Sequence, residues 1–85
     1  MDPHRISTDK SFVTKNGTRL DSLKDLYGHL STMADEEFSH HVNSERNDFA
    51  AWIEHVHNDR FLAAAVRTVR TRDDIRKQIF IALFR

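Results

Sequence analysis

Six histidines occur in this chain of 85 residues, and they raise the question of a metal site. Two pairs are close in sequence, His40 with His41 and His55 with His57. On a helix, adjacent side chains point about 100° apart and side chains two positions apart about 200° apart, so neither pair would chelate an ion alone. A four-ligand site would need both pairs to converge, with a carboxylate such as that of Asp48. We favour structural roles for these histidines, and we predict no metal and no other cofactor.

The segment from residue 40 to residue 48 is rich in side chains that can serve in acid-base catalysis. These are His40, His41, Asn43, Glu45, Asn47 and Asp48. No nucleophile arrangement, phosphate-binding glycine loop or carboxylate pair on a known scaffold accompanies them, and so short a chain has little room for a substrate pocket. Asn43 and Asn47 instead suit a tight joint between two helices, where their amides can satisfy unpaired backbone groups. We therefore predict that the protein is not an enzyme.

Charge is distributed unevenly along the chain although it sums to zero. Thirteen Lys and Arg balance thirteen Asp and Glu, but residues 58–85 carry seven basic and three acidic side chains. Five of the basic residues surround the joint between the last two predicted helices: Arg67, Arg70, Arg72, Arg76 and Lys77. A helix-turn-helix protein places phosphate and base contacts at such a joint. Nucleic-acid binding through this joint is therefore the alternative function.

Two acidic residues argue against that alternative. Asp73 and Asp74 would begin the recognition helix, where DNA would repel their carboxylates. A solvated basic face explains the same charges. So does contact with an acidic region of the same chain or of another copy.

The last predicted helix is apolar on more than one face. Ile79, Phe80 and Leu83 can cover one side, which leaves Ile81 and Phe84 for another partner. Burial of this helix nearly all round is the competing interpretation. An apolar run near a fraying terminus is an odd feature to leave exposed. We therefore predict that Ile81 and Phe84, with the five basic residues of the joint, contact another protein or a second copy of this chain.

Five short amphipathic helices must position these residues. Their apolar side chains recur at steps of three and four, as on one helix face. The stripes are Leu23, Leu26, Tyr27, Leu30 and Met33; Met33, Phe38 and Val42; Phe49, Trp52, Ile53 and Val56; Leu62, Ala65, Val66 and Val69; and Ile75 with Ile79, Phe80, Leu83 and Phe84. The predicted core contains Leu26, Leu30, Phe38, Phe49, Trp52, Leu62, Val66 and Ile79. The fold class is therefore all-α, a compact bundle of about five short helices.

Polar residues mark where these helices begin and end. Caps are expected at Ser22, Asp35, Asn47 or Asp48, and Thr71, and Asn58-Asp59 should end the third helix and begin the fourth. A left-handed residue is expected at Asn43, after the second helix. The first helix should run from about Ser22 to Thr32. Gly28 inside it costs about 1 kcal/mol relative to Ala, which indicates either close approach of another helix or a weak point.

The start of the chain differs from the rest. Residues 1–11 are mostly polar and contain the only proline, so we predict a flexible leader there and a single helical domain over residues 12–85. Phe12 and Val13 precede Asn16-Gly17, a dipeptide that favours a turn, and Leu20 follows. The two arms are too short to be stable alone, so they should lie against the helices.

Composition excludes several classes of protein. The chain has no cysteine, which rules out a disulfide scaffold and a Cys-based zinc finger. No apolar run approaches the roughly 20 residues that cross a bilayer, and the start of the chain lacks the apolar centre of a signal peptide. We expect a cytoplasmic protein without a membrane partner.

Two spaced elements resemble the signature of a small helical domain family of unknown function, which occurs in archaeal and bacterial proteins. They are Phe38-Ser39-His40-His41-Val42-Asn43 and Asn47-Asp48-Phe49-Ala50-Ala51-Trp52-Ile53, followed by Val56, Asp59 and Leu62-Ala63. The resemblance covers about residues 19–80 and implies a helical module with His41, Asn43, Asn47, Asp48 and Trp52 as signature positions. It implies no activity and no cofactor. Our prediction is a small non-enzymatic module for protein-protein interaction or self-association.

Overall fold

The computed structural model describes residues 10–84 and confirms the predicted all-α class. In these residues a short antiparallel hairpin precedes five helices. The elements are β1 (Phe12–Val13), β2 (Arg19–Leu20), α1 (Leu23–Leu30), α2 (Asp35–His41), α3 (Asp48–His57), α4 (Arg60–Val69) and α5 (Arg72–Leu83). Within the described residues, no helix is both long and apolar enough to cross a membrane.

The predicted leader lies mostly outside the described residues. Its last two residues, Lys10 and Ser11, are described, and both make hydrogen bonds to the domain. The Lys10 carbonyl accepts from Trp52, and the Ser11 hydroxyl donates to Asp21. Among the described residues, hydrogen bonds to the domain therefore begin at Lys10, before β1.

The hairpin forms where the turn dipeptide predicted it. Phe12 pairs with Leu20 across the two strands, and the amide of Gly17 donates to the carbonyl of Thr14 at 2.9 Å. Gly17 has a φ of 87°, a conformation that glycine adopts without a steric penalty. Leu20 is 2 % exposed, so the hairpin packs against the helices as expected.

Side chains cap four of the five described helices at the predicted positions. The caps Ser22, Asn47, Asp59 and Thr71 each accept from a backbone amide three residues later. The prediction for Asp35 is wrong, because Ala34 holds the cap position of α2 without a side-chain hydrogen bond. Asp35 is the first residue of α2, and its carboxylate lies 2.7 Å from Arg72 instead.

The helix joints use left-handed residues at two positions other than the predicted one. Among the described non-glycine residues, only Asn58 and Arg70 have positive φ, at 55° and 63°. They end α3 and α4. The left-handed conformation predicted for Asn43 is wrong, because extended backbone at Val42 ends α2. Arg70 is unusual, since this conformation costs a residue with a Cβ atom about 1–2 kcal/mol.

The core contains seven of its eight predicted members. Leu26, Leu30, Phe49, Trp52, Leu62, Val66 and Ile79 are buried. Phe38 is only partly buried at the edge of the core, where the guanidinium of Arg72 lies 5.7 Å from its ring centre.

The first helix is shorter than expected and contains an unsupported glycine. It ends at Leu30, two residues before Thr32. A Cβ atom at Gly28 would meet nothing within 4 Å, which excludes close approach of another helix. Gly28 is therefore a weak point of α1.

Candidate functional site

His41, at the end of α2, is buried and hydrogen-bonded through both ring nitrogens. Its Nε2 accepts from the backbone amide of Lys15 at 2.9 Å, and its Nδ1 lies 2.9 Å from Oδ2 of Asp48. Because Nε2 accepts, the proton of the neutral ring is on Nδ1 and is donated to Asp48. The side chain is only 5 % exposed. Neither nitrogen is left for a metal ion or for proton transfer to a substrate.

A network of polar contacts braces the loop between α2 and α3. Nε of Arg46 lies 3.5 Å from Oδ2 of Asp48, and Nη2 of Arg46 donates to the carbonyl of His40 at 2.8 Å. Asp48 is the first residue of α3, where a carboxylate interacts favourably with the helix dipole. Arg46 and Asp48 therefore have structural partners.

Asn43 satisfies backbone groups at the end of α2. Its Nδ2 donates to the carbonyl of Ser39 at 3.1 Å, and its Oδ1 accepts from the amide of Glu45 at 2.9 Å. The side chain of Asn43 thus satisfies backbone groups at the end of α2, where a left-handed backbone was predicted.

Asn47 does the same at the start of α3. Its Oδ1 accepts from the amide of Ala50 at 3.0 Å, and its Nδ2 donates to the carbonyl of Val66 in α4 at 3.3 Å. These contacts confirm that the two asparagine amides serve the joint, as predicted.

Trp52 holds the start of the domain against α3. Its indole Nε1 donates to the carbonyl of Lys10 at 2.8 Å. The ring of Phe12 lies 5.8 Å from that of Trp52, 5.1 Å from that of Phe49 and 5.0 Å from that of His41. Aromatic contacts at these separations stabilise a fold beyond the area they bury. His41, Asn43, Asn47, Asp48 and Trp52 therefore all make hydrogen bonds within the domain.

A buried polar group at Glu37 has no sequence signal of its own. Glu37 is 2 % exposed, and its Oε1 lies 3.2 Å from Nε2 of His29. Burial is the largest influence and would raise the pKa of Glu37, but the Thr14 hydroxyl, the His29 ring and the amide of Asn16 together lower it. Oε2 is buried without a partner in hydrogen-bond geometry. Glu37 thus joins the hairpin turn to α1 and α2 as an ionised group.

The two histidine pairs do not converge on a metal site. Within residues 10–84, no three His, Cys, Asp or Glu side chains are placed to hold an ion. His55 is exposed, whereas His57 packs edge-on against Trp52 at 4.6 Å between ring centres. Nε2 of His57 is buried without a hydrogen-bond partner, and burial lowers the pKa of His57. The carboxylate of Glu54 lies 2.7 Å from Arg67.

The basic residues of the last joint do not form one unpaired cationic surface. Four of them contact other groups of this chain: Arg67 donates to Glu54 at 2.7 Å, Arg72 to Asp35 at 2.7 Å and Arg70 to the carbonyl of Asn43, while the guanidinium of Arg76 lies 5.1 Å from the ring centre of Tyr27. The hydrogen bond from Arg67 lowers the pKa of Glu54. Lys77 is exposed. Much of the basic charge is therefore engaged within the domain.

The end of α5 carries a cluster of exposed apolar side chains, which we call the apolar end. Its members are Phe80, Ile81, Leu83 and Phe84, which are 48, 51, 37 and 74 % exposed. This excludes burial of α5 on all sides. Of the three residues predicted to cover one side, only Ile79 is buried, whereas Phe80 and Leu83 are exposed. Ile75 and Ile79 are the buried residues of this helix, and Ala82 packs partly buried against the core.

Comparison of the chain with protein-family models, curated proteins and solved structures found no match. The resemblance to a small helical family stays a prediction from the sequence. The described residues define a small all-α domain in which His41, Asn43, Asn47 and Asp48 are hydrogen-bonded within the fold and the last helix has an exposed apolar end.

Proposed function

We propose that this protein is a protein-interaction module that docks through its apolar end. The observation that carries the proposal is the exposure of four large apolar side chains within five residues of one helix. Exposed apolar patches of this kind mark interaction surfaces on folded domains. The fully buried residues of α5 are Ile75 and Ile79, so the exposed parts of these four side chains are not enclosed by the core.

The exposed area favours a partner protein over a second copy of the chain. At 48 and 74 % exposure, Phe80 and Phe84 offer roughly 240 Å² if each ring contributes about 200 Å². A standard protein-protein interface buries about 800 Å² on each partner, and a symmetric dimer would have to supply that area from the same patch on both copies. A groove that encloses a helix contacts several sides of that helix, and the walls of the groove add buried area of their own. The partner is therefore a protein with an apolar groove for the end of α5.

Ring contacts hold part of the apolar end in place before docking. The ring centre of Phe80 lies 4.7 Å from that of Phe84 and 5.8 Å from that of Tyr27 in α1. Side chains that are already ordered lose less conformational entropy when they are bound. This arrangement makes Phe80 and Phe84 suitable anchors.

Lys77 extends the same helix face toward the polar half of α5. It precedes Ile81 by four residues, so the two side chains lie along one side of the helix. An acidic side chain at the rim of the groove would pair with the exposed ammonium group of Lys77. Rim charges of this kind favour partner selection and association rate more than affinity.

Nucleic-acid binding through the basic joint has less support. Arg72 is turned toward Asp35 and Arg76 toward Tyr27, and Asp73 and Asp74 lie in the first turn of α5. That function and the cytoplasmic location stay predictions from the sequence.

Sedimentation equilibrium of the purified full chain separates the two kinds of partner. We expect a monomer of 10.0 kDa at micromolar concentration. A dimer that Ile81→Ser dissociates would overturn the heterologous partner in favour of self-association.

Photo-crosslinking in the source cells then tests docking itself. Benzoylphenylalanine in place of Phe84 should give a discrete protein adduct. The matched control is the same replacement at Phe61, which is 86 % exposed on α4 and lies outside the apolar end. The adduct at position 84 should disappear when Ile81→Ser is added. Absence of that adduct, or the same adduct from both positions, would overturn the proposal.

A further inference from the structure

A small hollow lies between the α2–α3 loop and the end of α4. Its volume is about 260 Å³. The lining residues are Asn43, Ser44, Glu45, Arg46, Asn47, Arg67 and Arg70. Because three arginines from two separate segments line it, we call it the arginine hollow. None of these lining residues belongs to the apolar end of α5.

Acceptors at the margin of the hollow orient its three arginines. Arg46 donates to the carbonyl of His40 at 2.8 Å, Arg67 donates to Glu54 at 2.7 Å, and Arg70 donates to the carbonyl of Asn43. A guanidinium has five N–H donors, so each group keeps donors for a ligand. Arg70 reaches this place from a left-handed backbone at the end of α4. The donors are therefore positioned before a ligand arrives.

Positive side chains outnumber negative ones in the lining of the hollow. Glu45 is the one acidic side chain among the described residues that line the hollow. The carboxylates of Asp48 and Glu54 partly neutralise Arg46 and Arg67. A dianion with several acceptor oxygens can engage more than one guanidinium at once.

The hollow is small enough to suit a small ligand. Sites for drug-sized molecules have volumes of about 300–1,000 Å³, and the arginine hollow is smaller. A nucleic-acid strand presents a row of phosphates and needs several cations along it. The next arginines along the chain, Arg72 and Arg76, contact Asp35 and Tyr27 instead. A single phosphate group fits these limits.

We propose that the arginine hollow binds a phosphate monoester dianion. Such a group occurs as inorganic phosphate and on phosphorylated serine side chains of peptides, and both present three oxygens to the guanidinium groups. The proposal is independent of docking at the apolar end. The helix α5 has twelve residues and is about 18 Å long. The arginine hollow adjoins its first turn and the apolar end adjoins its last turn, so the two surfaces are well separated.

Titration of the isotope-labelled full chain tests the proposal by nuclear magnetic resonance. The probes are inorganic phosphate and a phosphoserine peptide, each at low ionic strength, with the unphosphorylated peptide as the control. We expect saturable shifts of the amides of residues 43–47 and of the arginine Nε–H groups. Affinity should rise between about pH 5 and pH 7 as the phosphate loses its second proton.

Variants identify the residues that bind the phosphate. Arg70→Gly removes a guanidinium while glycine suits the left-handed backbone, and Arg46→Gln is a second variant that leaves this backbone unchanged. Each should weaken binding of the phosphopeptide by about tenfold, because a charge-assisted contact is lost. The control Lys24→Gln removes one exposed positive charge from α1 and should change the affinity less than about twofold.

Three results would overturn the proposal. The first is the absence of shifts in residues 43–47 at saturating phosphate. The second is equal weakening by Arg70→Gly and Lys24→Gln, which would indicate a general charge effect. The third is tighter binding of a short single-stranded oligonucleotide than of the phosphopeptide, which would assign the hollow to nucleic acid.

Discussion

Nδ1 of His41 lies 2.9 Å from Oδ2 of Asp48, and this contact joins the last residue of α2 to the first residue of α3. The opposite ring nitrogen accepts from the amide of Lys15, so one imidazole also holds the hairpin turn. A buried polar group is stabilising only while all of its partners are present. The position of His41 in the fold therefore predicts a large structural effect of its removal.

His41→Ala should lower the free energy of unfolding by about 3 kcal/mol. The substitution leaves a cavity beside Phe12 and an unpaired amide at Lys15, and both effects are destabilising. Urea denaturation followed by the fluorescence of Trp52 measures the change. The control His55→Ala alters an exposed ring and should stay within about 0.5 kcal/mol of the parent. Equal stabilities of the two variants would contradict the structural role of His41.

Glu37→Gln should reduce the loss of stability in acid. The pKa of Glu37 is lowered in the folded protein, so the unfolded chain takes up its proton first as the pH falls. The stability from this ionised group is present above the ordinary pKa of 4.5 and is lost as the pH falls through the lower folded value. Chemical denaturation at a series of pH values should show a flatter dependence below about pH 4.5 for the variant. An unchanged slope would show that Glu37 does not contribute.

His57→Gln should flatten the pH dependence in a higher range. Burial lowers the pKa of His57 below its ordinary 6.5, and Asp59 opposes this shift more weakly. Between the folded pKa and 6.5 the unfolded chain binds more protons, so stability falls as the pH drops through this range. The same denaturation series measures the slope, with His55→Gln as the control. A slope that responds equally to both substitutions would contradict the assignment to His57.

Gly28→Ala should raise the free energy of unfolding by about 0.5–1 kcal/mol. Alanine has the higher helix propensity and restricts the unfolded chain, and its Cβ atom would meet no neighbour. In a domain of this size, thermal unfolding should shift upward by roughly 2–8 °C. A lower melting temperature would show that the glycine is required in α1.

Local signals in the sequence were sufficient for most of the helical framework. Asn47, Asp59 and Thr71 are polar residues at the start of apolar stripes, and each caps the helix expected from it. Such caps involve residues three positions apart, so their chemistry is readable from a short window. Asp35 fits the same local pattern, but its carboxylate lies against Arg72, which is distant in the sequence, and it does not cap α2.

Contacts between distant segments were not predictable in the same way. Glu37 faces Thr14 and His29, and no local pattern of residues places these three together. The left-handed backbone of Arg70 also lacked a signal, because arginine has no preference for that conformation. The arginine hollow depends on both the α2–α3 loop and the end of α4, so it became visible only once the fold was known.

The affinity of the purified chain for the protein crosslinked at position 84 tests the docking proposal most directly. Fluorescence anisotropy with the parent chain, Phe84→Ser and Phe61→Ser gives the three dissociation constants. Phe84→Ser should raise the constant by about tenfold or more, because an aromatic anchor in a groove contributes a large share of the binding energy. Phe61→Ser should leave it unchanged. Equal constants for the parent and Phe84→Ser would contradict docking through the apolar end.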